Sequence, residues 1–236
     1  MQDRVGASDD VSRALAEARN RAQPLGVQRA LFDDAPSEER LGPEAFVFRR
    51  LVQASVADEL EAAVESVIAA APLRHMTVPG GGIMSVGTTS CGTLGWCSDT
   101  RGYRYEPNDP QTGRPWPSIP EPMSRLAKIA AARAGFVGFE PDSCLVNRYA
   151  PRTKMGLHRD ADERDFAWPI VSVSLVHHAT FVFGGLRRRD PVVRACARER
   201  SECTMPRPAD MRFSSPGRMA SSVPRLSRCI NSPANR

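Results

Sequence analysis

An α+β domain is the fold class this sequence predicts, and three observations predict it. A helical apolar stripe comes early, between residues 55 and 70. Period-2 alternation comes later, at Ser143–Tyr149 and again over 170–176. Between them, residues 77–118 hold eight glycines and five prolines, which breaks up any long element. A helical layer followed mostly by strands suits α+β layering.

Residues 1–40 are polar, charged and weakly periodic, with Pro24 and Pro36 as breakers. They read as a mobile extension, and an amphipathic helix over 11–22 is the alternative. Ala45-Phe46-Val47-Phe48 reads as the first strand. Ser55-Val56-Ala57-Asp58 has the spacing of a capping box and predicts a helix to about Ala70, with Val56, Leu60, Val64 and Ile68 inward. Pro72 ends it. The Gly/Pro-rich stretch predicts hairpins and loops rather than buried core. A second helix follows, with Pro122 in its first turn and Gly135 closing it. Strands are then expected at Ser143–Tyr149, over 170–176, and from Thr180 to the Gly184-Gly185 turn. After Arg194 the alternation stops. Residues 195–236 are rich in Arg, Ser, Pro and Cys and read as an atypical tail, which leaves the last strands of a closed β-structure in doubt. The chain thus divides into an extension (1–40), one domain (41–194) and the tail.

Composition narrows the classes. At 236 residues the chain suits one catalytic domain with a full core. No apolar run approaches the roughly 18–20 residues that span a membrane, and the first residues lack an apolar signal core. A cytoplasmic protein is the expectation. Six cysteines form no C-x-x-C pair, which argues for reduced structural thiols and against a zinc ribbon. The net charge of +5 would suggest a polyanionic partner. Its distribution weakens that inference. Residues 187–236 carry twelve Arg against four acids, +8 locally, which leaves −3 for the 186 residues before them.

The chemistry-bearing motif is His158-Arg159-Asp160, just downstream of Asn147-Arg148-Tyr149-Ala150-Pro151. On extended backbone, residues i and i+2 share a face, so an imidazole and a carboxylate can grip one metal ion from one side. Two ligands of a 2-His-1-carboxylate triad would look like this. Further blocks stand in order around it: Met76-Thr77-Val78-Pro79-Gly80-Gly81, Cys91-Gly92-Thr93-Leu94-Gly95-Trp96 and Gly102-Tyr103-Arg104-Tyr105. Asp109-Pro110-Gln111-Thr112, Pro115-Trp116-Pro117, Pro169-Ile170-Val171-Ser172-Val173-Ser174-Leu175 and Gly184-Gly185-Leu186 complete the set. Together these blocks, spanning about 74–190, resemble the AlkB family of Fe(II)/2-oxoglutarate-dependent nucleic-acid dealkylases.

That resemblance implies a double-stranded β-helix (jelly roll) with a nucleotide-recognition lid at about 74–118. It implies Fe(II) on His158 and Asp160, with 2-oxoglutarate and O₂ at the adjacent positions. Asn147 and Tyr149 would hydrogen-bond the 2-oxoglutarate. Trp96, Tyr103 and Tyr105 would stack on a flipped base, although Tyr105 serves equally well as packing. Asp162 would read the exocyclic amine of a cationic adduct, and Arg188 would stand on the substrate side. The expected activity is oxidative demethylation of 1-methyladenine or 3-methylcytosine in single- or double-stranded DNA, with RNA as a further substrate, by a monomer that releases formaldehyde and succinate.

The tail departs from the family pattern. No histidine follows His178, where a second metal-binding His belongs. Met211-Arg212-Phe213-Ser214-Ser215-Pro216-Gly217 stands about where an aromatic-His-Gly block should be. Arg228-Cys229-Ile230-Asn231 is a faint counterpart of the Arg-x-Asn strand that clamps 2-oxoglutarate, and Arg228 is its candidate arginine. His177 and His178 share a strand, so at most one could face inward as a substitute. A shifted reading frame and a divergent tail both account for this. Two alternatives to an active enzyme follow: an inactive nucleic-acid-binding remnant, or a non-functional frameshifted product.

Overall fold

The computed structural model describes residues 36–42, 45–150, 153–158, 160, 163, 165–175, 179–184, 190–197, 202–205, 212–216 and 223–230, and beyond 194 only their backbone. These residues fall in one compact unit that begins at Pro36. The helix expected over 11–22, together with Asp162, His177, His178 and Arg188, lies outside the described residues.

Thirteen strands and two helices are described. The strands are β1 (Ser37–Gly42), β2 (Ala45–Arg49), β3 (Gly87–Gly92), β4 (Gly95–Asp99), β5 (Gly102–Glu106), β6 (Ser143–Tyr149) and β7 (Lys154–His158). They continue as β8 (Ser172–Ser174), β9 (Ala179–Gly184), β10 (Val192–Ala197), β11 (Glu202–Met205), β12 (Arg212–Pro216) and β13 (Val223–Ile230). The helices are α1 (Ala54–Ala70) and α2 (Glu121–Arg133). Four antiparallel sheets result, in the orders β1-β2-β11-β8, β10-β9-β12-β7, β13-β6-β3 and β4-β5. This arrangement fits a jelly roll with helices packed on it. No described helix is long and apolar enough to cross a membrane.

The helices differ in how well their signals work. α2 has Pro122 in its first turn and closes at Gly135, whose φ of +94° a glycine adopts without Cβ strain. α1 begins earlier than its capping box. Gln53 is the N-cap, makes no side-chain cap, and accepts the Val56 and Ala57 amides on its carbonyl. With Ser55 inside the first turn, its hydroxyl is not the cap. The buried face follows Ala57, Leu60, Ala63, Val64 and Val67, while Val56 and Ile68 are only partly covered. These residues pack with α2, Phe48 of β2, and Cys91, Cys144 and Val146 in one core.

Three further expectations are corrected. β1 starts at Ser37, inside the expected extension, because an antiparallel partner at β2 pairs its backbone. Within the stretch expected to be hairpins and loops, β3 and β4 are buried strands. Small and hydroxyl-bearing residues allow that burial: Gly-Thr-Thr-Ser-Cys-Gly lies against β6 in continuous register. Third, the tail supplies strands despite its lack of alternation. β11 fits between β2 and β8, β12 between β9 and β7, and β13 pairs with β6. Backbone pairing needs a free neighbouring edge, and alternation only helps when one face is buried.

An ion pair pins the connection after β5. Arg74 forks onto Asp109, 2.7 Å on the longer arm, with both side chains largely buried, and its guanidinium lies 5.8 Å from the centre of the Trp116 ring. Asp109 also accepts from the Gln111 amide and the Thr112 hydroxyl. The Arg74 fork, more than these, holds the Asp109 carboxyl down at about 2, whereas burial opposes the shift. Asp109→Ala strands a buried guanidinium, and we expect a loss of about 3 kcal/mol or more in urea denaturation at neutral pH. A depressed carboxylate stabilises fully above its unfolded value. The wild-type advantage over this variant should therefore hold down to about pH 4 and fade as pH falls toward 2.

Candidate active site

β6 sets the geometry. Its period-2 alternation puts Leu145, Asn147 and Tyr149 on one face, all buried. Cys144 and Val146 enter the helix-covered core on the other face, where Arg148 reaches Glu65 of α1 at 2.7 Å. Asn147 and Tyr149 therefore share a face as expected. Asn147 accepts a hydrogen bond from the Thr88 hydroxyl at 2.8 Å.

The β4–β5 hairpin lies over that face. Trp96, Tyr105 and Met76 pack with Leu145 in a second apolar cluster, with Met84 and Leu94 at its margin. Trp96 and Tyr103 stack at 5.5 Å between centroids and 17° between planes. Trp96 is buried and fixed, whereas Tyr103 is half exposed and forms the outer ring. Tyr105 is a packed core residue, and its hydroxyl donates to Glu163 Oε1 at 2.9 Å. At the hairpin turn, Asp99 is held well below the usual carboxylate range by Arg104 and then by Arg101. Those charges fix the turn. Trp116 closes against Gly95, where any Cβ would overlap its indole, and donates its Nε1–H to the Glu106 carbonyl at 3.0 Å.

His158 ends β7, and Asp160 follows after one residue. His158 Nε2 stands 3.5 Å from Asp160 Oδ1, and Asp160 is buried. The other ring nitrogen, Nδ1, lies 2.8 Å from the Gly156 carbonyl. A carbonyl can only accept, so Nδ1 is the donor in this contact, and Nε2 is the ring nitrogen turned toward the carboxylate. An imidazole nitrogen and a carboxylate oxygen converging in this way are donor types that Fe(II) takes from protein.

Two donors of three fit the metal, and no group of three or more His, Cys, Asp or Glu occurs together among the described residues. β12 passes beside β7 with Phe213 opposite His158 and Ser215 opposite Met155. The sequence of that strand, Arg-Phe-Ser-Ser-Pro, contains no His, Asp or Glu. On β13 the position opposite Asn147 is Arg225, whereas Arg228 stands opposite Leu145. The register therefore sets Arg225, rather than Arg228, level with Asn147.

Cys91, Cys97 and Cys144 are buried, in line with structural thiols. Burial pushes the Cys97 thiol up to about 11, so it is no nucleophile. Sequence reasoning missed Glu163 and Thr88. Glu163 sits three residues past Asp160 in an acidic run, which was a usable signal. Thr88 gave none, because its role is set by a strand 59 residues away. Tyr105→Phe removes the donor to a buried carboxylate, and we expect stability to fall by about 1–3 kcal/mol in urea denaturation. An unchanged midpoint would show that this contact contributes nothing.

Comparison with known proteins gives three findings. The 2OG-Fe(II) oxygenase superfamily matches residues 45–215. The chain is 48% identical over 165 residues to the alpha-ketoglutarate-dependent dioxygenase AlkB of Escherichia coli K12, which covers 70% of this chain and 76% of that protein. It is 41% identical over 155 residues to the AlkB homolog of Caulobacter vibrioides, covering 64% and 69% respectively. Among solved structures, that of OsALKBH1 matches the fold with a TM-score of 0.67 at 20% identity, over 82% of this chain and 100% of that one.

Proposed function

The chain belongs to the 2OG-Fe(II) oxygenase superfamily, and from that premise we propose that it is built for oxidative demethylation of N-alkylated bases in nucleic acid. The substrate class is the 1-methyladenine and 3-methylcytosine type, in DNA and also in RNA, handled by a monomer in the cytoplasm. One run of contacts carries this reading. Leu145, on the Asn147 face, packs against Trp96 and Tyr105, and Tyr105 bonds Glu163, three residues from the buried Asp160. These contacts support grouping the candidate aromatic rings with the strand that carries Asn147 and with the chain near Asp160.

Fe(II), with 2-oxoglutarate and O₂, supplies the oxidation that leaves the methyl carbon as formaldehyde and the cosubstrate as succinate. His158 and Asp160 would hold the metal, with the Gly156 carbonyl keeping the imidazole in its ligating tautomer. Asn147 and Tyr149 would donate to a 2-oxoglutarate carboxylate, which only accepts. Trp96 offers a fixed ring for a base taken out of its stack, a contact of about 1–3 kcal/mol. The half-exposed Tyr103 then either moves aside or adds a second face. Asp162 would meet the positive charge of the adduct, and Arg188 the substrate side.

A second reading is favoured by β12, which brings Phe213 alongside His158 and no third donor. On that reading the chain binds modified nucleic acid without turning it over. Formaldehyde release from a 1-methyladenine oligonucleotide, beside fluorescence anisotropy with the same oligonucleotide, separates the two. Turnover that vanishes in His158→Ala supports the enzyme. Binding without turnover selects the second reading, and neither binding nor turnover sinks both. Trp96→Ala should weaken oligonucleotide binding roughly tenfold under either reading.

A further inference from the structure

β3 buries two consecutive threonines, and they are treated differently. Thr89 has a buried hydroxyl with no hydrogen-bond partner. Thr88, which has no exposed surface, faces Asn147 directly across the β3–β6 pair and donates to its Oδ1 at 2.8 Å. The other acceptor within reach of that hydroxyl, the Val86 carbonyl, is at 3.5 Å. The Thr88 bond is therefore a specific contact and not a general property of this strand.

An asparagine amide has two chemically different ends. Its oxygen accepts, and its nitrogen donates two hydrogens. A carboxylate can use only the donating end. With Oδ1 engaged by Thr88, the two N–H donors lie on the opposite edge of the amide, the orientation a carboxylate needs. Rotating the amide by half a turn would turn Nδ2 toward the hydroxyl, which could then only accept there. Its own proton would be left with the Val86 carbonyl at 3.5 Å, and the amide would present oxygen to the carboxylate oxygen. Both residues are almost fully buried, so water does not readily replace the lost partner.

We propose that Thr88 is a positioning residue for the cosubstrate site: its hydroxyl locks the Asn147 amide with its N–H donors toward the 2-oxoglutarate carboxylate. This rests on the reading of Asn147 as a 2-oxoglutarate ligand. Thr88 touches Asn147 and acts only through it. Its hydroxyl matters and its bulk does not, so the isosteric valine is the informative change.

The test uses the ¹⁵N-labelled full chain and follows the Asn147 side-chain amide resonances, identified by their loss in Asn147→Asp. 2-Oxoglutarate is titrated in the presence of Zn(II), a redox-inert probe for the metal, so no turnover is needed. In Thr88→Val we expect the Asn147 amide pair to shift or broaden before any ligand is added. Affinity for 2-oxoglutarate should fall roughly five- to tenfold, while Thr88→Ser, which keeps the hydroxyl, stays within about twofold of wild type. Unmoved Asn147 resonances and unchanged affinity in Thr88→Val overturn the proposal. If Asn147→Ala weakens binding and Thr88→Val does not, the lock alone fails and the cosubstrate reading survives. If wild type and Asn147→Ala respond alike to 2-oxoglutarate, the cosubstrate reading fails and takes the proposal with it. An equal loss in Thr88→Ser and Thr88→Val would mark a packing role and likewise overturn it.

Discussion

The two-sided burial of β6 is the constraint on which the remaining structure depends. Its even residues, Cys144 and Val146, close the core under the helices, and its odd residues, Leu145, Asn147 and Tyr149, floor the site. A strand has no third face, so each residue has one task and none can be exchanged. A slip of one position would send Asn147 into the helix-packed core and bring Val146 out beneath Trp96. Register is held from both sides, by β3 in continuous pairing and by β13 across a bulge near Leu226. Arg148 adds a fastening to α1 through Glu65.

Several polar groups inside this core are placed in pairs, which is what makes their burial tolerable, whereas the Thr89 hydroxyl is buried without one. Arg74 and Asp109 lock the connection after β5, Thr88 meets Asn147, Ser98 donates to the Thr77 carbonyl, and Tyr105 meets Glu163. Each pair joins segments far apart in the chain. A hairpin of two short strands would not hold its shape alone. Here β4–β5 is fixed by an apolar cluster beneath, by ion pairs at its turn, and by Trp116 closing on Gly95.

The sequence made local features legible and long-range ones not. Ser143–Tyr149 has the predicted bounds because alternation is written in consecutive residues. α2 was legible from Pro122 and Gly135, whose backbone preferences act in place. The His158-x-Asp160 pair was legible because its geometry spans three residues. The start of α1 was misread, since Ser55 has the right spacing but Gln53 caps through backbone alone. β1, β11, β12 and β13 were illegible for a different reason. Their pairing is decided by edges elsewhere, and Ser, Arg and Pro do not forbid extended backbone. Tyr105 reads from sequence equally as packing or as a stacking ring, and the partner of its hydroxyl, Glu163, lies 58 residues away, beyond any local signal.

The Tyr105–Glu163 bond has a thermodynamic meaning beyond stability. It ties the aromatic hairpin to the segment that carries Asp160, so these two parts share one conformational equilibrium. Under the proposed function, whatever orders the Asp160 segment would lower the entropy still to be lost when a base settles on Trp96. By reciprocity, a base on Trp96 would, under the proposed function, raise the affinity of the Asp160 side by the same factor. A single hydroxyl would thus make the two halves of the proposed site cooperative, with no moving domain required.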